Sequence, residues 1–135
     1  MSRIPVSLTI PGNDQAHLIA LSEIQYLGHG AYSCLLNVHS NGFSCAKAFG
    51  FDNDEYFLAK LKDVLAHNTG EAEMMDLQSE NFLKIQALEN NSLLVSGLVM
   101  EQQPLTQSLE FAFITRRELL ERFTSEFSRM VQSNT

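Results

Sequence analysis

The stretch YLGHGAYSC, Tyr26 to Cys34, sets a histidine between two glycines five residues ahead of a cysteine. These are the residue types from which a thiol nucleophile and its general base are built. A base has to come within roughly 3 Å of the thiol it activates. If a strand starts near Gly30, His29 and Cys34 lie up to about 16 Å apart and point to opposite faces. The local pair therefore makes no dyad, and the sequence predicts a glycine turn with His29 exposed and Cys34 as a small core residue. The other histidines, His17, His39 and His67, are too scattered to form a ligand set. No phosphate loop, GxGxxG, GxSxG or HExxH motif is present. Asp54-Glu55 and the Glu71, Glu73 pair read as surface acids rather than a catalytic carboxylate dyad. No catalytic, cofactor-binding or metal-ligating residue is assigned, and no cofactor is expected.

The second cysteine, Cys45, raises the question of a disulfide. Asn41-Gly42 is a strong hairpin signal, because a type I′ turn needs positive φ at both central residues. With these two as the loop, Ser40 faces Phe43, Val38 faces Cys45 and Cys34 faces Phe49. The cysteines then share a face but stand roughly 13 Å apart, whereas a disulfide needs Cα atoms within about 7 Å. Both are expected to be reduced, as in the cytoplasm.

Around this hairpin the pattern alternates with period two: VSLTI between two prolines as an edge strand, AHLIALSEIQYL, AYSCLLNVHS and FSCAKAFGF. Lys47 is a misfit on the apolar face of the hairpin. The period then changes. Asp52 or Asn53 can cap a helix, and Phe57, Leu58, Leu61, Val64 and Leu65 form one stripe that ends before Gly70. Four further strands follow, EAEMMDL, FLKIQAL, SLLVSGLVM and QSLEFAFI, with turns at Glu89-Asn90-Asn91 and Gln103-Pro104. Thr115 and Glu118 fit a capping box, which opens a helix whose apolar side carries Leu119, Leu120, Phe123, Phe127, Met130 and Val131. Its arginines are expected to be solvated partners of the helix's own glutamates. The prediction is an α+β fold in a single domain, 1–135. It has a mainly antiparallel sheet of six to eight strands and two helices packed on it, at about 53–67 and 115–132. No internal repeat is visible.

The chain of 135 residues carries a net charge of −7, and its 44% hydrophobic content is that of a globular protein. No apolar run is long enough to span a membrane, and the start lacks the pattern of a signal peptide, so a cytoplasmic location is expected. Residues 51–101 hold ten acids against three lysines, while the segments on either side are balanced. Glu71, Glu73, Asp76 and Glu80 are the densest part of that excess. Such a strip repels nucleic acid and favours a basic partner, although it can serve solubility alone.

The segments VHSNGFSCAKAF, YFLAKLKDVL, NFLKIQAL, SLLVSGLVM and LEFAFITRRELLERF, in that order, resemble the WapI-like immunity proteins and their small bacterial relatives. The resemblance covers most of the length beyond residue 30 and rests largely on apolar patterns. It implies a non-enzymatic protein that neutralises a bacterial toxin by stoichiometric binding, without cofactor or catalysis. The partner would be a basic toxin domain, met by Glu71, Glu73, Asp76 and Glu80. The alternative is a small enzyme or ligand-binding domain with a pocket between sheet and helices.

Overall fold

A computed structural model of the chain describes residues 4–14, 16–101 and 107–135. Its elements run β1 (Ser7–Pro11), β2 (His17–Gly28), β3 (Ala31–Ser40), β4 (Phe43–Phe51), α1 (Asp54–His67), β5 (Glu71–Met75), β6 (Phe82–Ala87), β7 (Leu93–Glu101), β8 (Gln107–Thr115) and α2 (Arg117–Ser133). A short 3-10 turn at Glu89–Asn91 joins β6 to β7. The predicted turn at Gln103-Pro104 lies outside the described residues. The class is α+β, and every strand pairing is antiparallel.

The strands fall into two four-stranded sheets, β1-β2-β3-β4 and β5-β6-β7-β8, each in chain order. Strand pattern alone does not distinguish one sheet from two. Here the long connection through α1 ends the first meander, and β5 starts a second. The topology is thus ββββα twice over.

Asn41 and Gly42 have φ of 52° and 87°, which is what the two-residue turn requires. The β3–β4 register runs Ser40 to Phe43, Val38 to Cys45 and Cys34 to Phe49, as the sequence implies. Alternation buries Tyr32, Cys34, Leu36 and Val38 on one side of β3. In the second sheet the same rule buries Ala72, Met74, Leu83, Ile85, Val95, Phe111 and Phe113. These residues and the apolar faces of both helices form one continuous core. Each helix lies against the first strand of the other unit, α1 against β5 and α2 against β1, and the two helices touch each other.

Two seams join the sheets. At one, the Leu77 N–H donates to the Gly50 carbonyl at 2.9 Å, and the Gly50 N–H donates to Asp76 Oδ1 at 2.7 Å. At the other, the Asn13 N–H donates to the Ile114 carbonyl at 3.0 Å, Thr115 Oγ1 donates to the Pro11 carbonyl at 2.8 Å, and His17 stacks on Phe113.

Of the two predicted helix caps, the capping box is corrected and the other holds in position only. Thr115 is the last residue of β8 and is fully buried; its hydroxyl goes to Pro11, so no capping box forms. Arg116 occupies the N-cap of α2 without a side-chain bond. Arg117 Nη2 instead donates to the Leu65 carbonyl near the end of α1, while Nε pairs with Glu121 at 3.0 Å. At α1, Asn53 sits at the N-cap in the left-handed region and caps nothing with its side chain. The buried Asp54 accepts the Glu55 N–H at 2.7 Å, and its other oxygen accepts the Tyr32 hydroxyl at 3.1 Å.

Among the described residues, no helix is long and apolar enough to cross a membrane.

Candidate functional site

The residues that suggested thiol chemistry are kept apart. His29 lies exposed in the β2–β3 turn with φ of 54°. Cys34 is buried, its Sγ donating to the Phe49 carbonyl at 3.3 Å. Burial, with the Asp76 carboxylate nearby, pushes the Cys34 thiol up to about 12. At neutral pH it is therefore a thiol and not a thiolate, which removes the nucleophile. Burial also raises the half-buried Cys45, with Lys47 opposing the shift. Neither cysteine is in a disulfide. In a thiol titration of the native protein, Cys34 should stay silent and Cys45 should react slowly, with both appearing on unfolding. Two rapidly reacting thiols at neutral pH would contradict this burial.

No other arrangement compensates. Among the described residues, no three histidine, cysteine or carboxylate side chains gather as a metal site. The Tyr32 hydroxyl, bound to Asp54, is held above the usual phenol range by burial and by that carboxylate, so it is a poor proton donor.

The acidic residues are distributed less simply than their sequence spacing suggests. Glu71 and Glu73 alternate with buried Ala72 and Met74 along β5, so both side chains stand on the solvent face. Lys84, opposite Glu73 in the β5–β6 register, reaches Glu71 Oε2 at 3.4 Å. A base remote in sequence thus sits beside the strip and partly offsets it. Asp76 is occupied in holding the fold, since one oxygen takes the Gly50 N–H and the other takes the Ser79 hydroxyl. Glu80 is exposed in the β5–β6 turn. The structure therefore brings Glu71 and Glu73 together, commits Asp76 to the seam, and leaves Glu80 to one side.

What these residues border is a groove between α1 and β5, with a volume of about 630 Å³. Glu71, Glu73, Met74 and Met75 form one wall, Tyr56, Phe57 and Lys60 the other, and Asp52, Asp76 and Leu77 close one end. Sequence reasoning missed both Asp52 and the apolar residues here. Tyr56 is 66% exposed, Met75 57% and Leu77 53%. They make up three of the seven large apolar side chains left exposed among the described residues, and apolar exposure gathered in one place is the usual mark of a contact surface. The only available signal was that Met75 and Leu77 continue the row of Glu71 and Glu73 at period two. Lys60, the single base on the walls, has its ammonium 5.9 Å from the centre of the Tyr56 ring. Four lining carboxylates against Lys60 and the neighbouring Lys84 leave the groove negative.

No family model matches the chain, and no curated protein matches it. Among solved structures, the plant transcriptional regulator PBF-2 is similar, with a TM-score of 0.53 at 10% identity over 99% of this chain and 84% of that one. At that identity the likeness is one of fold: this chain shares an architecture with PBF-2.

Proposed function

We propose that this is a non-enzymatic cytoplasmic binding domain of the immunity type, which neutralises a basic bacterial toxin domain by holding it stoichiometrically against the groove between α1 and β5. The observation that carries this reading is the groove itself, where exposed Tyr56, Met75 and Leu77 stand among Asp52, Glu71 and Glu73. Apolar area supplies contact, and the carboxylates steer and select a positively charged partner. The inert Cys34 thiol gives the enzymatic alternative no support. A net charge of −7 speaks against a nucleic acid ligand, so the name of PBF-2 lends the proposal only an architecture.

The test starts from a partner recovered by co-purification with the product of an adjacent toxin-like reading frame. Association should slow as salt shortens the Debye length from about 30 Å at 0.01 M to about 8 Å at 0.15 M. Asp52→Asn, Glu71→Gln and Glu73→Gln together should lower the on-rate with little change in melting temperature, since exposed charges contribute little to folding. Asp76 has to be spared because it ties β4 to β5. Neutralising Glu118 and Glu121, whose field is offset by the arginines around them on α2, should affect association less. An on-rate indifferent to both salt and the three substitutions would remove the groove's charge from the mechanism.

A further inference from the structure

The β5–β6 ladder fixes which backbone groups of β5 face its partner. The Ala87 N–H donates to the Gly70 carbonyl at 3.0 Å, and the Asp76 N–H donates to the Asn81 carbonyl at 2.9 Å. Residue 70 opposite 87 and residue 76 opposite 81 extend the register of Glu71 with Gln86 and Met75 with Phe82. Antiparallel pairs alternate between bonded and non-bonded, so the even residues Ala72 and Met74 also bond towards β6. The N–H and C=O groups of Glu71, Glu73 and Met75 point the other way, out of the sheet edge. The next residue of that outward row, Leu77, is already paired, to Gly50 of β4. Among the described residues, the backbone groups of the other three make no such bond on that side.

This edge also lacks an inward-pointing charge. Sheet edges are commonly protected by a charged side chain in the inward row, and the edge strand β4 has the half-buried Lys47 in that role. The inward row of β5 is Ala72 and Met74, both apolar. Beside the edge lies the groove.

We propose that β5 accepts an extended segment of the partner as a fifth strand of the second sheet, continuing the pairing that Leu77 begins. The occupant is a basic stretch alternating with apolar residues. Its basic side chains lie on the solvent face with Glu71 and Glu73, and its apolar side chains turn towards Phe57 and Met74. Main-chain bonds supply affinity, and the alternating side chains supply selection. The proposal rests on the groove as docking surface, but the two can fail separately.

The probe is a capped octapeptide of alternating lysine and valine. Its binding should slow hydrogen exchange at the amides of Glu71, Glu73 and Met75, and leave those of Ala72 and Met74, already bonded, nearly unchanged. Two further peptides carry backbone N-methyl groups on all the valines or on all the lysines. The one whose methyl groups face β5 should lose about tenfold or more in affinity, and the other should keep most of it. Glu73→Pro, which removes an outward-facing N–H along with the carboxylate, should weaken the plain peptide more than Glu73→Gln, which removes the carboxylate charge alone. No binding by the plain peptide, or equal binding by all three, overturns strand addition. Equal binding that still falls with salt and with the groove's neutral substitutions would leave the docking surface standing without the strand. Binding that depends on N-methylation but ignores those substitutions would keep the strand and remove the charge.

Discussion

Phe127→Ala is expected to destabilise the protein by about 3–5 kcal/mol, the range for emptying a fully buried aromatic site. The ring is 0% exposed. It touches Phe51 at the end of β4, Phe57 on α1 and Phe123 on its own helix, with centroids 6.1, 5.4 and 6.0 Å away. It thus joins the first sheet to both helices, and the cavity would lie where neither helix can close it without leaving the strand it packs against. Domains of this size have roughly 5–15 kcal/mol in total, so the loss is a large share. Phe43→Ala, at a side chain 71% exposed, should change little. Denaturant melts read both, and a silent Phe127→Ala would place α2 off the core.

Gly97→Ala is expected to destabilise by about 1–3 kcal/mol or more, opposite in sign to the modest gain usual when a compatible glycine becomes alanine. Gly97 is buried in the middle of β7, between Leu83 of β6 and Phe111 of β8. A Cβ there would stand 2.3 Å from the Phe82 carbonyl oxygen and 2.6 Å from the tip of the Phe111 ring. The ring can turn, but the carbonyl belongs to the ladder and cannot move without shifting β6. Adding Phe111→Leu should therefore recover only part of the loss. Full recovery would assign the whole clash to the ring, and a stabilised Gly97→Ala would refute the close approach.

Local signals were readable in the sequence, and long-range ones were not. Asn41-Gly42 admits one tight turn, and that turn fixes the whole β3–β4 register. Period two along β5 set Glu71 and Glu73 on one face before any tertiary information. By contrast, the pattern of Thr115 and Glu118 suits a capping box, yet the hydroxyl bonds to Pro11, 104 residues away, a partner no local pattern can name. Asp76 looked like one more surface acid, but its use depends on where Gly50 arrives. Lys84 beside Glu71 follows from a register fixed only when β5 meets β6. The charge of the candidate site was therefore visible in the sequence, while its shape and its division between free and committed carboxylates were not.

The exchange of helices between the two units bears on how the chain is made. While a ribosome has released only β1 to α1, the strand that α1 lies against, β5, does not yet exist, and α2, which lies against β1, comes after all eight strands. Until then the first four strands lack the helix that lies against β1. The core closes only when α2 emerges and both seams can be drawn together. The two units therefore complete one core together, and folding of the first is expected to depend on synthesis of the second.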